Sequence, residues 1–458
     1  MILVLEFLVF QDLPFFWDAR SKYLRASWLY DHDFKQWVVP TSINSGHPPL
    51  WIWTLAIFWK LFGKTVLVAR VALLLVNIGV FYQLFRFAHF NFPKQAALLP
   101  IMLLFLEPTL VAQTTNLGND MLLLFFVLLG LNALQKNKNI LYTIAIAGLL
   151  LTNLRGLYCV LAFVIIHFCS FKQGLILFNR KIIWAYVIGL IPLTLFLIYQ
   201  YQVLDWVLFP QDNSYSGQRK SGSFQNTLKN SMAYIKMLLE FGRFLMWISL
   251  VYFGYKWFKN RSRLTQNVKY VGIVLGVFTG VFFIGFTPFT NPLGPRYLMI
   301  VYLMATLLCI IGSFEFIQNK IKRTILLSAI AISFITGHLW IYPNTIAQGW
   351  DSTLAYLHYF PLKDKMTSYL IENNIALNTV NTNLRLNYYL DREALTTQRF
   401  AQAGFGEVSY FVFSNIENKT TDAQMQELDV SWTKVQHYER MGVFITLYKK
   451  QDNLKTDL

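Results

Sequence analysis

The sequence has few charged residues: Asp, Glu, Lys and Arg together make up only 14% of its 458 residues. A soluble domain of ordinary composition carries roughly 25% charged residues, so this shortage argues against a soluble globular enzyme. Acidic residues are the scarcer kind, 24 against 40 Lys and Arg, and the formal net charge is +16. Because the basic residues lie mostly in short loops between apolar runs, they indicate cytoplasmic loops of a membrane protein and argue against nucleic-acid binding.

Cysteine is also scarce, and the three residues Cys159, Cys169 and Cys309 each lie inside an apolar run. They are typical of small core residues and predict no disulfide framework, so they do not indicate a redox compartment. The sequence has no GxGxxG or P-loop motif, no internal repeat and no Cys/His spacing typical of a metal site. A nucleotide-binding domain is therefore not expected.

A cleavable signal peptide is not expected either, because the apolar start lacks a basic region and the first basic residue is Arg20. This first apolar segment is short for a membrane span and holds Glu6 and Asp12. Two interpretations stay open: a tilted helix with Asp12 at the outer surface, or a true start upstream of this sequence.

Long apolar runs are abundant, since 55% of the residues are hydrophobic and Phe alone contributes 40. We predict an all-α polytopic domain over residues 1–341, with a short interfacial helix at 51–62. About eleven spans are predicted, at residues 1–16, 66–85, 96–112, 121–134, 140–152, 157–169, 182–202, 241–258, 271–286, 298–314 and 325–341.

Successive predicted loops lie on alternate sides of the membrane, so a single choice of side for the amino terminus orients all of them. If the amino terminus is cytoplasmic, all the main basic clusters fall inside, as cytoplasmic loops of membrane proteins require. These clusters lie at residues 86–94, 136–138, 172–181, 256–269 and 320–323. The loops that hold Asp18, Asp120, Arg155 and Arg296 then all fall on the outer face.

The composition becomes ordinary from about Tyr342. Residues 342–458 are predicted to form a small extracytoplasmic α+β domain, since about 110 residues suffice for one. The segments KDKMTSYLIENN and DAQMQEL are predicted helices, and EVSYFVFSNI and GVFITLYKK are predicted strands.

The stretch Trp17–Leu50 organises the membrane domain. It is predicted to be a polar, aromatic-rich loop after the first span, and it contains Asp18 and His47. A carboxylate at the edge of a membrane domain is costly, so it usually has a partner or a function. Asp18 is either a helix cap or a general base that takes the proton of an attacking hydroxyl. His47, held extended by the following Pro48, is either a ligand or a structural hydrogen-bonding group.

Further charged residues are predicted on the same outer face. Asp120 opens a helix, where capping alone favours Asp, but together with Asp18 it could also hold a divalent metal such as Mg or Mn, or orient an acceptor. Arg155, at the tip of a predicted helical hairpin, suits a phosphate or an acidic partner. Arg296 and the adjacent Tyr297 cap a span and either snorkel or bind substrate. In the polar loop predicted from 205 to about 240, Arg219 and Lys220 are either solvated or part of a mobile phosphate-binding lid.

Several motifs together resemble GT-C fold glycosyltransferases. They are WD at Trp17–Asp18, GHPPL at Gly46–Leu50, WKLFG at Trp59–Gly63, NDMLLLFF, TNLRGLY and PRYLM. The resemblance covers roughly residues 10–310 and is closest to the family that includes protein O-mannosyltransferases and the lipid A aminoarabinose transferase. A weaker similarity to bacterial relatives lies in GWDSTLAYLHYF.

The resemblance implies an inverting transfer of a sugar from a polyprenyl-phosphate donor at the outer face of a bacterial inner membrane. Asp18 then matches the catalytic base and Asp120 the acid of the second outer loop, while Arg155 and Arg296 are candidates for binding the lipid phosphate. Many relatives have Asp-Glu where this chain has Asp18-Ala19. That departure puts a metal cofactor in doubt.

The expected partners are the polyprenyl-phosphate sugar, membrane lipids, and an acceptor that is a lipid, a polysaccharide or a protein, with no nucleic acid. The alternatives are a transporter of lipid-linked glycans, a polymerase or ligase of such glycans, and a membrane scaffold. A transporter predicts charges along a central cavity and often internal repeats. A scaffold leaves Asp18 and Asp120 on one face unexplained.

Overall fold

The computed structural model describes residues 2–92, 102–176, 179–209, 220–383 and 404–451. The chain divides into two compact units, Met1–Gly337 and His338–Leu458. In the described residues the first unit is built from α-helices and the second combines helices with one sheet. The predicted class, a helical polytopic domain with a small α+β domain, is confirmed.

Fourteen α-helices make up the described part of the first unit. They are α1 (Ile2–Phe10), α2 (Asp18–Asp31), α3 (Leu50–Phe62), α4 (Val66–Asn91), α5 (Pro108–Thr115), α6 (Asp120–Gln135), α7 (Asn139–Thr152), α8 (Arg155–Lys172), α9 (Arg180–Leu204), α10 (Phe224–Leu239), α11 (Phe244–Lys259), α12 (Gln266–Phe286), α13 (Met299–Phe316) and α14 (Lys320–Gly337). A 3-10 turn, Pro295–Leu298, leads directly into α13.

Five of these helices are long and apolar enough to cross a membrane: α4, α8, α9, α12, and α13 with its preceding turn. Two more spans result if the bent pairs α5–α6 and α10–α11 each count as one, which gives up to seven in the described residues. The sequence predicts about eleven. Four predicted spans are not among these seven. Within the predicted span 1–16 the helix α1 has only nine residues, and α7 has only 14 where a span needs about 20. Helix α14 begins with a basic first turn, and the predicted span 96–112 lies partly outside the described residues.

The central helix of the first unit is α13. Every residue from Met299 to Ser313 is buried, as expected for a helix that is apolar on all sides. It packs against α11 and α12. The 3-10 turn at its start therefore holds Arg296 against the protein interior, where that residue is buried.

Two stretches predicted as loops are partly helical. The first half of Trp17–Leu50 is α2, and the second half of the loop at 205–240 is α10. Both helices carry many polar residues, so a hydropathy pattern does not detect them. Both helices begin with residues that are favoured at helix starts. Asp18 is an acidic first residue of α2, and the Ser223 side chain caps α10 by accepting a hydrogen bond from the Asn226 amide.

The second unit contains α15 (Tyr359–Glu372), α16 (Asp422–Ser431) and a four-stranded sheet. Its strands are β1 (Val380–Thr382), β2 (Tyr410–Ser414), β3 (Trp432–Arg440) and β4 (Val443–Lys450), in the order β1-β2-β4-β3. The β1–β2 pair is parallel and the other two pairs are antiparallel. The two predicted helices and two predicted strands are confirmed, whereas β3 has mostly exposed polar residues and was not predicted.

Candidate active site

Four charged side chains predicted on one face meet at the starts of four helical segments. Asp18 is the first residue of α2, Asp120 of α6 and Arg155 of α8, and Arg296 lies in the 3-10 turn before α13. The amino-terminal end of a helix carries a partial positive charge. The two carboxylates are therefore favoured at these positions, whereas the two arginines need acidic partners or an anion.

The four side chains form a row of alternating charge. Nη2 of Arg296 donates to Oδ2 of Asp18, and Nε of Arg296 lies 3.4 Å from Oδ2 of Asp120. Nη2 of Arg155 donates to Oδ1 of Asp120 at 2.5 Å. The Arg155 guanidinium also lies 4.0 Å from the centre of the Tyr297 ring, a cation–π contact. Each carboxylate thus pairs with an arginine, and Asp120 contacts both Arg155 and Arg296.

The two carboxylates differ in their access to solvent. The side chain of Asp120 is 6% exposed, whereas that of Asp18 is 61% exposed. Although the Asp18 side chain is accessible, the protein around it displaces much of the bulk water, which raises its pKa. Arg296 and Lys22 outweigh this effect and bring the pKa of Asp18 to about 2. Asp18 is therefore an ionised carboxylate that faces open space from the wall of the protein, while Asp120 is enclosed between the arginines.

Lys22 is a member of this site that the sequence interpretation missed. It lies one helical turn after Asp18 in α2, and its side chain is buried. Burial and the nearby Arg25 lower its pKa to about 7, against the opposing effect of Asp18. The spacing of four residues would have revealed Lys22 beside Asp18, but only if the stretch had been interpreted as a helix.

The hairpin between α7 and α8 fixes Arg155. The Asn153 side chain accepts a hydrogen bond from the Arg155 amide at 3.0 Å. A Cβ atom on Gly156 would lie 2.0 Å from the Leu149 carbonyl oxygen, so only glycine allows the two helices to approach this closely. The Asn119 side chain, next to Asp120, donates to the Thr152 carbonyl oxygen and so ties the second acidic residue to the same hairpin.

The remaining predicted residues lie on other segments. His47 is half-buried in the segment before α3, next to Gly46, whose amide is held by the Asn44 side chain. Lys220 is exposed, and its backbone exchanges hydrogen bonds with Thr290 on the segment that leads to Arg296. Arg219 lies outside the described residues.

The donor set at this site favours ion pairs over a divalent metal. Arg296 lies between the carboxylates of Asp18 and Asp120 and contacts both. In the part of the chain that the structure describes, no group of three His, Cys, Asp or Glu side chains is arranged to hold a metal ion. The acids predicted as metal ligands are instead arranged to hold arginines, and a metal role stays untested.

The arrangement suits a phosphate next to a reacting hydroxyl group. Arg155, Arg296 and Lys22 place positive charge around a point where helices begin, and arginine binds phosphate through two parallel hydrogen bonds. Asp18 contributes an exposed carboxylate at the same point. An anion bound to Arg296 would compete with Asp18 for that guanidinium.

Comparisons with known proteins concern the family and the fold. A family model described as dolichyl-phosphate-mannose-protein mannosyltransferase matches residues 46–199, roughly one third of the chain. A sequence search of curated proteins gives no significant match.

Two solved structures share the fold. Both are crystal structures of ArnT from Cupriavidus metallidurans, one bound to undecaprenyl phosphate and one in the apo state. The first has a TM-score of 0.55 at 14% identity, the second 0.54 at 13%, and each match covers 97% of both chains. The resemblance to GT-C fold glycosyltransferases predicted from the sequence is confirmed, and it extends over nearly the whole length.

Proposed function

We propose that this chain is a membrane glycosyltransferase that takes its sugar from a polyprenyl-phosphate-linked donor. The observation that carries the proposal is the exposed carboxylate of Asp18, ion-paired to a buried arginine at the meeting point of four helix starts. The family match to dolichyl-phosphate-mannose-dependent enzymes and the shared fold with an ArnT bound to undecaprenyl phosphate support it.

The reaction is a single displacement with inversion. The acceptor hydroxyl attacks the anomeric carbon from the face opposite the phosphate, and its proton passes to the Asp18 carboxylate. The bond between the anomeric carbon and the phosphate oxygen breaks, and its electron pair stays on the phosphate. Arg296 and Arg155 stabilise the charge that develops there, which is effective because fixed charges in a protein cavity need no reorganisation.

Donor binding activates the base. With a pKa of about 2, Asp18 is a weak base while Arg296 holds it. When the donor phosphate binds Arg296, the guanidinium is shared with a second anion and its effect on Asp18 weakens. The pKa of Asp18 then rises toward its ordinary range, so that the carboxylate becomes a stronger base once the donor is in place.

The proposal also covers the location of the site, the class of sugar and acceptor, and further substrate-binding residues. In the orientation that the basic loops favour, the site faces the outer side of a bacterial inner membrane, the amino terminus is cytoplasmic, and residues 338–458 are extracytoplasmic. The sugar is a hexose or a pentose, and the acceptor is a lipid, polysaccharide or protein hydroxyl. His47 and Tyr297 contribute to donor or acceptor binding, and so do Arg219 and Lys220.

The test is sugar transfer by purified full-length protein in detergent from a set of hexosyl and pentosyl polyprenyl phosphates. Asp18→Asn keeps the shape of the side chain and removes the base, so transfer should fall by about 10²- to 10⁴-fold while donor binding persists. The matched control is Asp31→Asn at the other end of α2, where the carboxylate pairs with Lys64 at the surface. This variant should transfer as wild type does.

Two outcomes would overturn the proposal in different ways. If Asp18→Asn transfers as fast as wild type, the base is another residue and Asp120 is the next candidate. If wild type and variant both bind the donor but neither transfers to any acceptor, the result favours a transporter of lipid-linked glycans or a membrane scaffold over a transferase.

A further inference from the structure

A second site lies in the first unit, away from the candidate active site. It is a cavity of about 740 Å³ lined by α1, α4, α5 with the segment before it, and the facing ends of α13 and α14. Ile310 and Phe314 of α13 form part of its wall. Because an α-helix rises 1.5 Å per residue, Ile310 is about 20 Å along the axis from Arg296.

The wall of this cavity is apolar over most of its area. Glu6 of α1 also lines it, and the Glu6 carboxylate accepts a hydrogen bond from the Thr114 hydroxyl of α5. Phe81 and Phe105 form one side as a stacked pair with ring centres 4.0 Å apart, and Leu106 and Leu327 continue it. Met102 also lines the cavity, and 61% of its surface is exposed, so the cavity opens to the outside of the helical unit. An apolar cavity that opens sideways from membrane-crossing helices is suited to a hydrocarbon chain.

The end of the cavity nearest the start of α14 is basic. Lys320 and Arg323 both line it, and they lie three residues apart on one face of α14. The Arg323 guanidinium is held over the Phe314 ring at 4.2 Å, which fixes it at the cavity wall. Among the described residues, neither Lys320 nor Arg323 forms an ion pair with a carboxylate within 4.0 Å. The positive end of the α14 dipole adds to their charge.

These features suit an occupant with a long apolar part and an anionic head. We propose that the cavity binds an anionic glycerophospholipid of the surrounding membrane, with an acyl chain in the cavity and the phosphate at Lys320 and Arg323. Basic pockets between membrane helices on the cytoplasmic side bind such head groups. In the orientation proposed above, the lipid comes from the cytoplasmic leaflet.

The sugar donor does not fit this role. Its phosphate is expected at Arg296, at the opposite end of α13, whereas Lys320 and Arg323 lie beyond the far end of that helix. The phospholipid would instead stabilise the packing of α14 against α13 and the segment before α5. The proposal does not depend on the proposed transfer reaction, and it is tested without measuring it.

The experiment is native mass spectrometry of the full-length protein, released from vesicles of equal parts phosphatidylglycerol and phosphatidylcholine. Wild type should retain phosphatidylglycerol in preference to phosphatidylcholine and should melt at a higher temperature in its presence. The double variant Lys320→Ala/Arg323→Ala should bind phosphatidylglycerol about 30-fold more weakly, since each basic residue near the surface contributes about 1 kcal/mol.

Two kinds of control separate this effect from general charge loss and misfolding. Lys259→Ala/Lys322→Ala removes the same charge from exposed positions nearby that do not line the cavity, and should bind as wild type does. Lys320→Arg/Arg323→Lys keeps both charges and should retain the lipid. Ala331→Phe fills the cavity with both charges intact and should also weaken retention.

Three results would overturn the proposal. They are equal retention of both phospholipids by wild type, unchanged phosphatidylglycerol binding in the Lys320→Ala/Arg323→Ala variant, and displacement of the bound phospholipid by polyprenyl phosphate at equal concentration. The last result would assign the cavity to the donor's hydrocarbon tail.

Discussion

Asp18 and Arg296 lie 278 residues apart in the chain and form an ion pair, with Nη2 of Arg296 donating to Oδ2 of Asp18. The same guanidinium reaches Asp120 through its Nε atom, 3.4 Å from the carboxylate. A single buried arginine thus connects α2, the start of α6 and the turn before α13. Arg296 is therefore the side chain that contacts both carboxylates of the site.

Replacing Arg296 should therefore affect donor binding and turnover together. Arg296→Lys keeps the charge but loses the forked donor geometry, and should lower kcat/KM by about 10- to 100-fold, the value of one or two charge-assisted hydrogen bonds. Arg296→Met should lower it further. Steady-state kinetics and donor titration measure both effects, with Arg263→Lys on an exposed turn as the control. Wild-type kinetics in Arg296→Lys would contradict the assignment.

Lys22 should make donor binding depend on pH near neutrality. Burial lowers its pKa to about 7, so the side chain loses its proton as the pH rises through that value. If the charge attracts the donor phosphate, the dissociation constant should increase above about pH 7. Lys22→Arg stays charged and should remove this dependence, while Lys22→Met should bind weakly at every pH. A wild-type titration that is flat between pH 6 and 9 would contradict this role.

The same pKa shift should appear in the stability of the protein. The folded pKa is lower than the ordinary value of 10.5, so the unfolded chain binds the extra proton between about pH 7 and 10.5. The contribution of Lys22 to stability therefore rises with pH across this window. Lys22→Met should reduce the slope of melting temperature against pH there. An unchanged slope would show that Lys22 titrates at its ordinary value.

Gly156→Ala should disturb the site through the backbone. The new Cβ atom would lie 2.0 Å from the Leu149 carbonyl oxygen, so the α7–α8 hairpin must open and move the adjacent Arg155. We expect a loss of stability of about 1–3 kcal/mol, together with weaker transfer. Gly272→Ala in α12 meets no atom within 4 Å and should be neutral or slightly stabilising. Denaturant unfolding in detergent compares the two variants.

Breaking the Glu107–Arg243 ion pair should destabilise the first unit strongly. Both side chains are fully buried, with Nε of Arg243 donating to Oε1 of Glu107 at 2.8 Å, and Glu107 also caps α5. Arg243→Met leaves a buried carboxylate without its partner and should cost about 3–5 kcal/mol. Glu107→Gln/Arg243→Met removes both charges and should recover much of that loss. Equal melting temperatures for wild type and Arg243→Met would contradict this expectation.

Part of this site could be predicted from the sequence because membrane topology is a strong constraint. The alternation predicted from the basic loops places Asp18, Asp120, Arg155 and Arg296 on one face, and the structure brings these four side chains together. Their pairwise contacts do not follow from that rule, since they depend on how α13 packs among its neighbours. Lys22 was missed for a local reason: a polar helix such as α2 resembles a loop in hydropathy. Strand β3 was missed because its pairing with β4, and not its own residues, makes it a strand.

In the proposed reaction, the pairing of Asp18 with Arg296 also has a consequence for the release of the product. The donor phosphate is a diester with one negative charge, whereas the released polyprenyl phosphate is a monoester with a charge of about −1.5 to −2 at neutral pH. The arginines therefore hold the product more tightly than the donor, which slows turnover. Asp18, once it has passed its proton to solvent, is again an anion beside Arg296 and competes with the product for it. If Asp18 is the base, as proposed, the same carboxylate would thereby also help to release the polyprenyl phosphate and return the site to its starting state for the next donor.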